Sequence, residues 1–309
     1  MRICFMGTPE FALPTLQVLA EKHEVVAVVS QPDKPKGRGK KLQFTPVKEL
    51  ALSLGLEVLQ PEKIKNPDFV ETLRRLDADI FIVIAYGQIL SEEILNIPKY
   101  GCLNIHGSLL PKYRGAAPIQ WAIINGENVT GVTIMQMDKG LDTGDMILKK
   151  EMPILADDDS NSLHERMSVI GAEALITALE SIENGTAIFT KQDDNLSTYA
   201  SMLKKQMGHI SWDDTSDKII NLIRGLNPWP TAYTYMDGET LKIWKAKKST
   251  DDYNGANGEI VKVDVKDGIT VKTGDGAIIL TEIQGKSGKR MEATKYILGH
   301  NIKNGIILN

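Results

Sequence analysis

The chain has only two cysteines, Cys4 and Cys102, among 309 residues. Two thiols supply neither a disulfide framework nor a four-thiolate metal site, and their scarcity fits a reducing compartment. The five histidines are scattered, without the Cys/His spacing of a zinc site, so no metal is expected. No apolar run approaches the ~20 residues that span a bilayer. The opening MRICFMGTPEF lacks the charged-then-apolar pattern of a secretion signal. The expectation is a cytoplasmic protein with no membrane partner. An excess of positive charge is also missing: the formal net charge is −4, which argues against a general DNA coat but leaves room for a local basic patch. Finally, the turn after the first apolar run, GTPEFA, has one glycine. A nicotinamide-binding G-x-G-x-x-G turn is therefore a weak reading.

What is present is an alternation of apolar runs and helical patterns. Arg2–Met6, Val25–Val29, Glu57–Leu59, Ile80–Ile84 and Gly101–His106 read as strands. Phe11–Leu19, Val47–Leu54, Phe69–Leu76 and Ser162–Asn184 read as helices, with Thr8 placed to cap the first and Pro9 to open it. Strands alternating with helices imply right-handed crossovers and a mainly parallel, Rossmann-like α/β sheet. Residues 185–210 are polar and aperiodic, which suggests a surface linker. Beyond it lie a short helix (Lys218–Arg224) and close-spaced short strands separated by Asp-Gly and Gly-Asp-Gly turns, the pattern of a small β-barrel. The expected organisation is residues 1–186, a linker over 187–206, and an OB-like barrel over 207–309.

The stretch from Cys102 to Pro111 is the most informative. Strand side chains alternate, so Cys102, Asn104 and His106 share one face and Leu103 and Ile105 the other. Two polar side chains near the C-terminal end of a buried strand break the hydrophobic pattern, and ligands of open α/β sheets bind beyond such ends. An amide beside an imidazole suits the stabilisation of an oxyanion at an acyl carbon. Two hydrogen-bonded core residues would read the same way. The loop from Met137 to Asp145 could bring Asp142 into a cleft, or it could be a solvated turn. Residues 31–41, QPDKPKGRGKK, hold five basic residues and one acidic residue. That composition suits phosphate contact, and the two glycines and two prolines disfavour a regular element. Residues 207–309 are close to neutral, with fourteen Lys and Arg against thirteen Asp and Glu. Their lysines cluster at 242–248 and 286–290, by themselves an ordinary solvated face. Trp212, Trp229 and Trp244 are expected to pack the domain join and the barrel core.

Asn104-Ile105-His106-Gly107-Ser108-Leu109-Leu110-Pro111, continuing through Tyr113-Arg114-Gly115-Ala116-Ala117-Pro118, resembles the signature of 10-formyltetrahydrofolate-dependent formyltransferases. Asp142, in its Gly-Leu-Asp-Thr-Gly-Asp setting, is similar to the third catalytic residue of that family. The likeness runs the length of the chain through Gly7–Phe11, Gln31-Pro32-Asp33, Gly37–Lys41, Asn227-Pro228-Trp229-Pro230 and Trp244-Lys245-Ala246. It implies that Asn104, His106 and Asp142 are catalytic and that 10-formyltetrahydrofolate is the co-substrate. It places the folate along Ser108, Leu109, Leu110 and Pro111 and along Tyr86, Gly87, Gln88 and Leu90, the last group by backbone contacts. It also implies an initiator Met-tRNA partner, with Arg38, Lys40 and Lys41 in the tRNA-contacting loop, and a monomer. Three rivals remain at this point: a formyltransferase acting on glycinamide ribonucleotide or an amino sugar, the nicotinamide oxidoreductase, and a non-enzymatic RNA-binding protein.

Overall fold

A computed structural model describes residues 1–36, 41–286 and 288–309, without the side chains of Lys36 and Lys41. The chain forms two compact units. The first comprises residues 1–115, 130–153 and 164–199, and the second 116–129, 154–163 and 200–309.

The first unit opens with β1 (Arg2–Gly7), a short 3-10 turn (Glu10–Ala12), α1 (Leu13–Lys22) and β2 (Glu24–Val29). Next come β3 (Lys34–Lys36), β4 (Lys41–Gln43), α2 (Pro46–Ser53), β5 (Val58–Leu59), α3 (Pro67–Arg75), β6 (Ile80–Ile84), α4 (Glu92–Leu95) and β7 (Cys102–His106). The strands and most of the helices fall where apolar periodicity puts them. The first helix starts differently. Thr8 does not cap it; its Oγ1 donates instead to the Tyr86 carbonyl at 2.9 Å, and Pro9 occupies the N-cap position of the 3-10 turn. The basic stretch also departs from expectation. Lys34 pairs with Gln43 and Pro35 with Leu42, making a two-stranded antiparallel ribbon. Proline is tolerated at such an edge, where its missing N–H breaks no central ladder.

After β8 (Arg114–Gly115) and α5 (Pro118–Ile124), β9 (Val129–Gln136) and β10 (Met146–Pro153) complete a seven-stranded sheet of order β10-β9-β7-β6-β1-β2-β5. The pairs β1/β2, β1/β6, β2/β5 and β6/β7 are parallel, and β7/β9 is antiparallel. The chain winds outward from β1 to β5, then returns to lay β6 against the other side of β1. The sheet therefore reverses direction between β1 and β6, the kind of switch point at which open α/β sheets bind ligands. One sheet face buries Cys4, Met6, Phe81, Val83 and Cys102 with Val70 and Leu73 of α3. The other meets α6 (Ser160–Glu183). There Gly171 lets the helix approach, since a Cβ would sit 2.9 Å from the Ile105 side chain. Cys4 and Cys102 are fully buried, and each pairs with Phe81 from an opposite side.

β11 (Tyr199–Ala200) falls at the boundary of the two units, and the second unit continues with α7 (Ser216–Gly225). The six strands β12 (Ala232–Met236), β13 (Glu239–Lys248), β14 (Ile260–Asp264), β15 (Gly268–Lys272), β16 (Ala277–Gln284) and β17 (Met291–Glu292) then precede α8 (Ala293–Gly299). The order is β12-β13-β16-β15-β14, with β17 against β16, and among the described residues these strands pair antiparallel. Its core holds Trp212, Ile219, Ile223, Leu241, Ile243, Val271 and Leu280. Trp212 donates to Thr234 at 3.0 Å. Trp244 lies under the Arg290 guanidinium at 4.5 Å. Trp229, expected inside, is 54% exposed; the prolines on both sides restrict the backbone that carries it. Of the clustered basic residues, Lys248, Lys286 and Arg290 are ion-paired with Asp217, Glu239 and Glu282.

Candidate active site

β7 lies between β6 and β9, with Val83 and Met135 beside Asn104 and Thr133 beside His106. Leu103 and Ile105 are buried on the opposite side, as the alternation requires. Among the described residues nothing hydrogen-bonds the half-buried Asn104 amide. That leaves a donor on the strand with its capacity unspent, as a site that holds an oxygen needs.

His106 is 5% exposed. Its Nε2 lies 2.9 Å from the Tyr113 carbonyl. A carbonyl only accepts, so Nε2 carries a proton, and Nδ1 is bare whenever the ring is neutral. Nδ1 faces Oδ2 of Asp142 at 3.7 Å, beyond the ~3.2 Å limit of a direct hydrogen bond. This pair can receive a proton on Nδ1 and hold the resulting imidazolium against a carboxylate. It also sets a condition on the expected oxyanion donation by His106: Nδ1 must be protonated first, because Nε2 is committed.

Asp142 arrives from the loop between β9 and β10 with φ of +54°, a left-handed conformation uncommon outside glycine. Its Oδ2 accepts the Gly115 N–H at 2.8 Å. Its carbonyl and that of Gly144 both accept from Gln192 Nε2 at 2.8 Å. Gln192 Oε1 in turn accepts from Arg114 Nε at 3.0 Å. Composition and spacing did not point to Tyr113, Gly115 or Gln192. Two of them act through backbone atoms, which carry no residue-type signal, and Gln192 lies in the polar tract read as linker.

The loop after β7 is tied down. Ser108 Oγ donates to the Lys112 carbonyl at 2.6 Å, Thr133 Oγ1 to the Ser108 carbonyl at 2.7 Å, and the Leu110 N–H to Thr133 Oγ1 at 3.1 Å. Leu110 is buried against Met135 and Met146, while Leu109 and Pro111 are half-buried.

The stretch Tyr86–Leu90 follows β6 at the switch point. Tyr86 and Leu90 point into the core, and burial pushes the Tyr86 phenol well above its ordinary range. The Gln88 side chain is engaged by the Ile64 N–H at 2.8 Å, and Gly87 has φ of +90°. Their side chains thus serve the protein, which leaves backbone groups for any ligand. Nearby, Gln31 Nε2 donates to the Tyr86 carbonyl at 3.2 Å. Asp33 at the foot of the basic ribbon accepts from Lys48 at 2.5 Å and Gln60 at 2.8 Å. Arg38 and Lys40 lie outside the described residues, and only the backbone of Lys41 is described. No group of three or more His, Cys, Asp or Glu among the described residues could hold a metal ion. No described helix is long and apolar enough to cross a membrane.

An open amide, a carbonyl-anchored imidazole and a carboxylate at the end of a mainly parallel sheet are groups suited to acyl transfer. The formyl transferase family model matches residues 1–179, and its C-terminal domain model matches residues 202–301. The chain belongs to the formyl transferase family. It is 53% identical over 310 residues to a "Methionyl-tRNA formyltransferase" of Caldanaerobacter subterraneus subsp. tengcongensis, covering 100% of both chains. The fold is similar to WlaRD, a sugar 3N-formyl transferase solved in the presence of dTDP and 5-N-formyl-THF (TM-score 0.67, 22% identity, 94% of this chain and 99% of that one). It is also similar to HypX from Aquifex aeolicus in complex with tetrahydrofolic acid (TM-score 0.65, 18% identity, 96% of this chain). The chain spans about half of the HypX chain, 47% of its length.

Proposed function

We propose that the chain transfers the formyl group of 10-formyltetrahydrofolate to the α-amino group of methionine on initiator Met-tRNA. The observation that carries this reading is end-to-end identity of 53% to a methionyl-tRNA formyltransferase. The folate supplies an activated formyl carbon. Asn104 donates to the formyl oxygen as negative charge grows there. The bare Nδ1 of His106 takes up a proton released by the attacking amine, directly or through water, and Asp142 stabilises the imidazolium that results. With the amine nitrogen bonded to the formyl carbon, protonated Nδ1 donates to the oxyanion and then returns its proton to N10 as the carbon–N10 bond breaks, so that tetrahydrofolate leaves. The 108–111 loop and the backbone of residues 86–90 hold the folate.

Arg38, Lys40 and Lys41 contact the acceptor end of the tRNA, and the antiparallel sheet of the second unit closes as an OB-like barrel that holds it. The division 1–186, 187–206 and 207–309 serves those two tasks. The enzyme works in the cytoplasm as a monomer. Mixing it with 10-formyltetrahydrofolate and Met-tRNA should yield N-formylmethionyl-tRNA. Transfer to glycinamide ribonucleotide or a nucleotide-linked amino sugar, with none to Met-tRNA, would overturn the assignment.

A further inference from the structure

We infer that Gln192, braced by Arg114, is a positioning residue that sets the catalytic carboxylate of Asp142 against His106. This rests on the proposed formyl transfer and adds a part to it. Three consecutive residues organise the site. The Tyr113 carbonyl accepts from His106 Nε2, the Gly115 N–H donates to Asp142 Oδ2, and between them the Arg114 guanidinium donates to Gln192. Gln192 then divides its own amide between the carbonyls of Asp142 and Gly144. The amide thus fixes the main chain on both sides of Thr143.

The loop needs such a brace. Asp142 is held at positive φ, a conformation that persists only where surrounding contacts impose it. The Oδ2 contact with Gly115 fixes one carboxylate oxygen but not the backbone behind it. Gln192 is half-buried, so its hydrogen bonds are partly shielded from competing water. The outer Arg114–Asp194 pair, at 2.7 Å, ends on a carboxylate that is 81% exposed. An exposed pair of this kind contributes little holding force, so the brace is the Arg114–Gln192 contact itself. The residue type is specific: only a side chain with both an N–H and an acceptor oxygen can accept from Arg114 while donating to two carbonyls. No bond to substrate is involved.

The test is steady-state formylation of Met-tRNA by wild type, Gln192→Met, Gln192→Glu, Arg114→Met and the double variant Arg114→Met/Gln192→Met. Gln192→Met keeps the length and loses every hydrogen bond. Gln192→Glu keeps the acceptor for Arg114 and turns a carboxylate toward two carbonyls. Both should lower kcat by about 10²-fold, the scale of a small misplacement of a reacting group. KM for 10-formyltetrahydrofolate should stay within about twofold, as for a group that does not bind substrate. The double variant should be no slower than Gln192→Met, since the two side chains act as one unit. Wild-type kcat in either Gln192 variant would overturn the inference. A raised KM with unchanged kcat would also overturn it, by making Gln192 a substrate contact. Should Gln192→Met fail to fold, Gln192→Glu and Arg114→Met decide. A wild-type enzyme inactive on Met-tRNA would sink the functional reading and this inference together, whereas active wild type with unimpaired variants sinks this inference alone.

Discussion

The Nδ1 atom of His106 faces Oδ2 of Asp142 at 3.7 Å while Nε2 of the same ring is held by a carbonyl. At that separation Asp142 can offer His106 its charge more than a direct hydrogen bond. Asp142→Asn keeps an oxygen that can accept from Gly115 but removes that charge. Turnover should fall about 10²–10³-fold, by the measure of a lost electrostatic partner in the transition state. Thermal unfolding should change little. Near-normal kcat would remove Asp142 from the chemistry.

Asn104→Ala separates catalysis from stability most cleanly. Its amide has no hydrogen-bond partner among the described residues, so folding should lose about 1 kcal/mol or less. Turnover should fall about 10²–10³-fold, as when a single oxyanion donor is deleted. Parallel measurement of kcat and of a urea midpoint checks both halves.

Gly144→Ala should damage the site through the backbone. An added Cβ would stand 1.7 Å from the Gln136 carbonyl oxygen, a main-chain atom with no rotamer to escape into. Overpacking of this kind costs about 1–3 kcal/mol. The residue also supplies one of the carbonyls that Gln192 binds. Melting point and kcat should drop together.

The Asp33 carboxyl carries a pH dependence. Partial burial pushes its pKa up, but hydrogen bonds from Lys48 and Gln60 and the Lys48 charge outweigh this and hold it below the ordinary value of 3.8. A lowered folded-state pKa stabilises the fold above the unfolded value, and that stability disappears as pH falls through the folded one. The stability gap between wild type and Asp33→Asn should therefore be level above pH 5 or so and close as pH falls below about 4. A gap that persists at pH 2 or so would show that Asp33 acts by shape, not charge.

Arg38→Ala should weaken formylation of Met-tRNA while leaving 10-formyltetrahydrofolate binding intact. Loss of one phosphate-contacting cation should also lower the salt dependence by about one unit of slope. Equal damage to both substrates would point to a folding defect.

Local pattern made much of this architecture legible. The parallel strands announce themselves as apolar runs, and Asn104 and His106 stand out because polar side chains interrupt one. Composition and spacing showed Asp142 only as an acidic residue in a glycine-bounded loop, since the spacing of 36 residues from His106 carries no information about distance; the family resemblance is what singled it out. Gln192 was hidden for a different reason. In a tract rich in Lys, Gln and Asp, a residue that binds main-chain carbonyls has the same composition as one that binds water. The pairing of Lys34–Lys36 with Lys41–Gln43 was masked by the two prolines and two glycines of residues 31–41, which count against a strand in isolation. Thr8 was misassigned as a cap because its hydroxyl has a partner, the Tyr86 carbonyl, that is 78 residues away.

Cys4 and Cys102 flank Phe81 on adjacent strands, which sets their Cα atoms about 10 Å apart, too far for a bridge. Burial pushes the Cys102 thiol up to about 12 and the Cys4 thiol higher still. Neither sulfur can react with a maleimide until the middle of the parallel sheet comes apart. The enzyme thus contains its own unfolding clock, silent at the surface and read by mass. Saturating formyl-folate should slow that clock by the factor 1 + [ligand]/Kd, so affinity for the co-substrate could be measured without tRNA, turnover or any introduced label.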